Sequence, residues 1–155
     1  MEKFTLKKIG QDSDIPYELL LLADETVEAI DRYIFDSDLY LLHHDAQDIA
    51  VMALHSNSST ELEIKNMAVA ESYRSQGIGS ILMDKAKEIA KEKRYTMLVV
   101  GTSDTGFQQI KFYEKNGFIK KGLRKNFFIE NYAVPMYENG LQMRDMIILA
   151  HDLSE

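Results

Sequence analysis

Arg74-Ser75-Gln76-Gly77-Ile78-Gly79-Ser80 separates two stretches of opposite periodicity. Upstream, Thr60 to Val69 reads as a strand. Downstream, Ile81, Leu82, Ala86, Ile89 and Ala90 recur at helical spacing, with Lys85, Lys87, Glu88, Lys91 and Glu92 on the other side. A glycine loop therefore opens the N-terminus of a helix packed on a sheet. Glycines let a backbone come close to a ligand and turn several N–H groups toward one point, and a helix start adds about half a positive charge there. The expected guest is a phosphate or pyrophosphate.

Two better-known phosphate loops do not fit. A dinucleotide fingerprint needs a third small residue, but Gly77-Ile78-Gly79-Ser80-Ile81 runs into Leu82, and no acidic residue ends a following strand at the usual distance. Gly101 and Gly106 have the spacing of a nucleoside-triphosphate loop, yet Phe107-Gln108 stands where Lys and Ser or Thr would hold phosphate and magnesium. What remains is Arg74-x-x-Gly77-x-Gly79, which a simple tight turn would also explain. Its context is more specific: Asn66-Met67-Ala68-Val69 ends the strand before it, and Phe112-Tyr113-Glu114-Lys115-Asn116-Gly117-Phe118 follows it.

These three segments, in this order and spacing, resemble the GNAT superfamily of acetyl-CoA-dependent N-acyltransferases, and the resemblance runs roughly from Phe4 to His151. It implies an α/β (α+β) fold, a mostly antiparallel six- to seven-stranded mixed sheet splayed at the cofactor site and flanked by helices. Within it, a bacterial subgroup sometimes labelled indoleacetate acetyltransferase-like is similar in the tail, from Phe127 to Tyr132 and Glu138 to Ile147. Indoleacetate offers no basic amine, so that substrate is not carried over.

The chain bears out such a layout on its own terms. Phe4 to Ile9 reads as a first strand, followed by helical segments from Pro16 to Ala23 and Glu25 to Phe35, the second with Val27, Ile30, Tyr33 and Ile34 on a stripe. Leu39 to Leu42 and Ile49 to Leu54 read as strands joined by a polar hairpin, and Ser56 to Ser59 turns into the Thr60 strand. Met97 to Val100 is a short buried strand and Phe107 to Asn116 a second helix stopped by Gly117. Phe118 to Phe127 and Met143 to His151 are closing strands. No repeat or linker divides the chain, so residues 1–155 are expected to form one GNAT domain.

Composition bounds the partners. Hydrophobic residues make up 45% of the 155, enough for a substantial core. Net charge is −7, from 25 acidic and 18 basic residues, which gives no footprint for nucleic acid and suits a cationic amine. No apolar run is long enough to span a bilayer, and Met1-Glu2-Lys3-Phe4-Thr5 lacks the build of a signal peptide, so no membrane partner and a cytoplasmic address are expected. Cysteine is absent, which excludes thiolate zinc and a cysteine nucleophile. The histidines have no metal-ligand spacing, and Asp12-Ser13-Asp14 reads as a turn and cap rather than a calcium loop.

Acetyl transfer to an amine needs a neutral amine, donors for the developing oxyanion, and a proton for the departing thiolate. By the resemblance, the Met67 N–H polarises the thioester carbonyl, Ala68 and Val69 line and pair with the pantetheine arm, and Arg74, Ser75, Gln76, Gly77, Ile78, Gly79 and Ser80 hold the phosphates. Alternation from Glu61 breaks at Asn66-Met67, as a bulge would require. Glu63, four residues before Met67, matches the place of a general-base glutamate in some members; a solvated strand face beside Lys65 explains it as well, and Glu61 is the reserve. A carboxylate with an ordinary pKa of about 4.3 matches an ammonium poorly, so Glu63 needs an apolar setting or an intervening water.

Tyr113 matches the family tyrosine that protonates the thiolate, with core packing beside Phe112 as the plainer alternative. The pattern departs in three places. Where members carry an Asn seven or nine residues before the tyrosine, this chain has Gly106 and Asp104; Glu71 replaces a frequent proline, and Gln76 a basic loop residue. Asp104 is kept as a candidate cofactor contact, and weaker cofactor binding is expected. Tyr132, Asn139, Arg144 and Asp145 are candidates for the acceptor side, against an Arg-Asp pair that merely braces a turn.

The function implied is direct acetyl transfer from acetyl-CoA to a primary amine of a small molecule or peptide. A non-catalytic acetyl-CoA-binding domain and an enzyme acting on protein amines stay open, as do monomer and homodimer.

Overall fold

The computed structural model describes residues 4–10 and 13–154. Asp12 of the acidic cluster, and Met1 to Lys3 of the leader reading, lie outside the described residues. The chain begins with β1 (Thr5–Lys8), two short helices α1 (Tyr17–Leu20) and α2 (Val27–Asp31), and a 3₁₀ turn at Ile34–Asp36. A meander follows: β2 (Asp38–His44), β3 (Gln47–Ser56) and β4 (Glu61–Val69). Then come α3 (Ile78–Glu92), β5 (Met97–Ser103), α4 (Phe107–Lys115), β6 (Ile119–Arg124), α5 (Phe127–Glu130), a hairpin of β7 (Tyr137–Glu138) and β8 (Leu141–Gln142), and β9 (Met146–Asp152).

Seven strands form one sheet in the order β1-β2-β3-β4-β5-β9-β6, and only β4 and β5 run parallel. The expected mixed, mostly antiparallel sheet is therefore present. The parallel pair follows from α3, since a strand-helix-strand crossover returns the chain in the same direction.

Alternation sorts the core into two layers. Tyr40 and Leu42 on β2 face a cluster with Leu82, Met83, Leu98, Phe118 and Leu149 beneath α3 and α4. Leu39 and Leu41 face the opposite side, against Leu20, Ile30 and Ile34 from the N-terminal helices. At about 1.5–3 kcal/mol for each fully buried large aliphatic side chain, these layers set the register firmly. Both faces of the central strands are thus covered, so β4 carries no water-washed polar face: Glu63 is buried along with Leu62 and Ile64.

Two expectations need correction. The bulge in β4 lies one residue earlier than the pattern suggested, because Ala53 pairs with Asn66 and Leu54 with Ile64, leaving Lys65 unpaired between them. The closing strand from Phe118 ends at Arg124; Asn126, in the left-handed region at φ 57°, turns the chain into α5, and its N–H donates to Asp145 Oδ1 at 2.8 Å. The Tyr132 to Met143 segment supplies no strand to the main sheet. It makes the β7–β8 hairpin, whose Asn139-Gly140 turn has positive φ at both residues, as its tight connection demands.

Candidate active site

The register of β4 against β5 runs from Glu61–Met97 to Ile64–Val100 and stops there. β4 continues to Val69 along β3 while β5 continues to Ser103 along β9, so the two central strands part beyond Ile64. Backbone groups of residues 65–69 that would face β5 have no ladder partner, and such groups seek one from a ligand. The parting opens a cavity of about 460 Å³, lined by Asn66, Met67, Ala68 and Val69 on one side, and by Val100, Gly101, Tyr113 and Glu63 around it.

Beside the cavity, Ser75 (φ 63°) and Gly77 (φ 79°) hold the loop in left-handed conformations, and Gly77 caps α3 without any side-chain hydrogen bond to the first turn. The opening N–H groups of a fifteen-residue helix are left for another acceptor. The Ile78 side chain lies in the core, which leaves only its backbone to the loop. The two loop glycines differ in role. A Cβ on Gly77 would meet nothing within 4 Å, so its glycine answers to φ; a Cβ on Gly79 would sit 3.1 Å from the Phe112 ring, so its glycine lets α4 press against α3. Arg74 lines the cavity and donates from Nε to Val69 O at 3.3 Å, and Gln76 turns back to Ser72 O at 3.3 Å.

Tyr113 reaches the cavity from α4 with its ring against Phe112 and Phe118. Burial pushes its phenol up to about 12. Glu63, 3% exposed, accepts from Asn57 Nδ2 at 2.9 Å and is flanked by Lys65 Nζ at 3.4 Å and Arg124 at 3.5 Å. Asp104 sits elsewhere. Its carboxylate accepts from the N–H groups of Arg144 at 3.2 Å and Asp145 at 3.3 Å and so clamps the end of β5 to the start of β9, outside the cavity lining. Of the tail candidates, Tyr132 alone lines the cavity; Asn139 donates to Thr105 O, and Arg144 and Asp145 brace the chain at Gln142 and Asn126.

Asp24, Glu25 and Tyr33 line the cavity, carry no motif and went unrecognised as sites. Asp24 accepts from Tyr33 Oη at 3.0 Å, Tyr132 Oη at 2.8 Å and the Glu25 N–H at 2.7 Å. Asn66 donates to Tyr33 Oη at 3.0 Å and to Leu20 O at 3.0 Å, which ties the β4 bulge to the N-terminal helices. Desolvation, with the Asp24 carboxylate second, raises the phenols of both Tyr33 and Tyr132 far above the ordinary range. The Asp24-Glu25 pair between two helical segments was the available signal, but a helix cap reads the same way. No group of residues suited to holding a metal occurs among the described residues, and no described helix is long and apolar enough to cross a membrane.

Known proteins share this fold. A solved GNAT family acetyltransferase from Elizabethkingia anophelis, with acetyl-CoA bound, superposes with a TM-score of 0.93 at 41% identity over 97% of this chain and 98% of that one. An IAA acetyltransferase from Bacillus cereus gives a TM-score of 0.91 at 34% identity over 97% and 100% of the two chains. The uncharacterized N-acetyltransferase YvbK of Bacillus subtilis is 32% identical over 99% of both chains. A solved Bacillus subtilis acetyltransferase in complex with CoA gives a TM-score of 0.88 at 32% identity over 97% and 99% of the two chains, and the acetyl-CoA and CoA bound in the Elizabethkingia structure and this one show that acetyl-CoA is the cofactor of this fold. Residues 35–120 match the family model of the acetyltransferase (GNAT) domain, and with the parted β4 and β5 and the open start of α3 they establish that this chain belongs to the GNAT family of acetyltransferases.

Proposed function

We propose that the protein, as a single domain, transfers an acetyl group directly to a primary amine of a small molecule, with Glu63 and Tyr113 as the proton-handling pair. One observation carries this reading: the parted end of β4, Tyr113 and Glu63 line the same cavity, which the N-terminal helices close on the other side. Acetyl-CoA supplies the thioester. Met67, Ala68 and Val69 offer backbone groups to its arm and to the carbonyl oxygen that gains charge, while Arg74 and the amides of Ser75 to Ser80 face its phosphates. Without cysteine, no thiol of the chain can take the acyl group, and both substrates must be held together.

Glu63 accepts the amine proton through an ordered water. Both its oxygens are already engaged, Oε1 by Asn57 and Arg124 and Oε2 by Lys65, so a relay spares the carboxylate a direct approach. The same two cations disfavour a third positive charge nearby and so favour the neutral, nucleophilic amine. Tyr113, kept protonated by burial, holds its proton until the thiolate forms against it.

Thiol release followed with Ellman's reagent, across alkylamines, polyamines, aminoglycosides and amino-terminal peptides, tests the reading. Release that depends on a small amine supports it. Release with peptides alone would assign a protein acetyltransferase, and acetyl-CoA binding without release from any acceptor would assign a binding domain.

A further inference from the structure

We infer that the protein acetylates itself at Lys65, within its own cavity; the inference rests on the transfer reading and adds to it a second acceptor, the chain itself. Among the described residues that line the cavity, Lys65 alone carries a primary amine, the other cations being Arg32, Arg74 and Arg124. Folding thus places one amine of the kind the reaction consumes in the cavity that holds the proposed base and acid, Glu63 and Tyr113. Its Nζ lies 3.4 Å from Glu63 Oε2, and 22% of its side chain is exposed, so the group is neither sealed in the core nor spread into solvent.

The backbone explains how the amine comes to be there. Lys65 is the residue left unpaired at the β4 bulge, between the Ala53–Asn66 and Leu54–Ile64 pairs, and it directly follows Ile64, where the ladder to β5 ends. It stands two residues before Met67, whose N–H the transfer reading assigns to the thioester carbonyl. A long side chain on that bulge is tethered to the reacting end, and a tether replaces a bimolecular encounter with a held geometry. A purely structural role is less specific, because Glu63 already has Arg124 at 3.5 Å and Asn57 Nδ2 at 2.9 Å to offset its charge.

Lys65 and Arg124 share the Glu63 carboxylate, and of the two only the lysine can give up a proton in water. Lys65 passes one proton to Glu63 and on to solvent, and its neutral Nζ attacks the carbonyl carbon of the thioester that acetyl-CoA supplies. The C–N bond forms as the C–S bond breaks, and Tyr113 gives its proton to the departing sulfur. The second Nζ proton restores Tyr113 through water, so the balance is one Lys65 acetamide, one CoA thiol and one proton released. The acetamide is neutral and no longer nucleophilic, so the reaction stops after one turnover and leaves Glu63 paired with Arg124 alone.

Peptide mass spectrometry after incubation with acetyl-CoA and no added amine tests this. Lys65 should gain one acetyl group at least roughly tenfold faster than Lys85, whose side chain is 44% exposed, and Tyr113→Phe should slow Lys65 roughly tenfold or more while Lys85 is unchanged. The rate per chain should not vary with protein concentration, since donor site and acceptor belong to one molecule. A Lys65 no faster than Lys85, or indifferent to Tyr113→Phe, overturns the inference. Competitive labelling with acetic anhydride gives a readout without acetyl-CoA: Lys65 of the free protein should be labelled, and bound CoA should protect it while Lys85 stays reactive. An inert Lys65, or one that CoA leaves fully reactive, overturns the inference. Thiol release from added amines by a chain whose Lys65 stays unmodified defeats the inference and leaves the transfer reading standing, whereas an acetylated Lys65 with no release from any added amine supports the inference and defeats the small-molecule reading.

Discussion

The two ends of the cavity are built from different materials. The proposed cofactor end consists of main-chain groups: β4 beyond Ile64, where the ladder to β5 stops, and the uncapped first turn of α3. The proposed acceptor end consists of side chains contributed by residues 24, 25, 33, 66, 132 and 138, which meet only after folding. A backbone site tolerates change in every side chain that does not alter the trace, whereas a side-chain site can be rebuilt residue by residue. The first therefore suits a constant cofactor, and the second a substrate that differs between relatives.

Breaking the junction between the two ends should have the largest effect. Tyr113→Phe is expected to lower turnover by roughly 10²–10³-fold while acetyl-CoA affinity, read by calorimetry, stays within about twofold; unchanged turnover would remove the acid role. Glu63→Gln should lower turnover by roughly 10²-fold while acetyl-CoA affinity stays within about twofold, and unchanged turnover would move the base elsewhere.

Changes within the cofactor end should be smaller and separable. Gly79→Ala drives a Cβ to 3.1 Å from the Phe112 ring, so it should cost about 1–3 kcal/mol in urea unfolding, and Phe112→Leu should recover part of that loss in a double-mutant cycle. Gly77→Ala meets no neighbour and faces only its left-handed φ, at about 1–2 kcal/mol, with no rescue by Phe112→Leu. Equal rescue of both would show that the two glycines share one role.

The smallest effect is alkaline. Tyr113 has its folded pKa pushed up to about 12 by burial, above an unfolded value near 10, and Tyr33 and Tyr132 shift the same way. Their contribution is complete below about pH 10 and fades as pH rises toward 12, because the unfolded chain releases those protons first. Urea midpoints should therefore fall over that window in wild type, and less steeply in Tyr113→Phe.

The same division explains what could be read from the residues alone. Helical and strand periodicity located the meander, α3, α4 and β9 within a few residues, and the glycine loop stood out as a candidate because a backbone cradle needs particular residues close together in the chain. Of the residues at the other end, only Tyr132 stood out in the sequence. Asp24, Tyr33 and Tyr132 are joined by hydrogen bonds across 108 positions, and no local pattern records a pairing of that separation. Glu63 looked solvent-facing because alternation reports one covered face, and it cannot report that the N-terminal helices cover the other. Asp104 was placed by motif spacing, and the clamp it forms with Arg144 and Asp145 depends on where β9 lies.

The strand order β5-β9-β6 also sets a timetable. β9 contains the last residues of the sheet to be synthesised, yet it lies between β5 and β6 and pairs with both. On the ribosome, the β2–β3–β4 meander can close from neighbouring segments as it emerges, while β6 waits without a partner for β9 to be made and threaded beside it. During that interval β6 has two open edges, and Ile119 and Leu123 stay exposed on it even after β9 has paired.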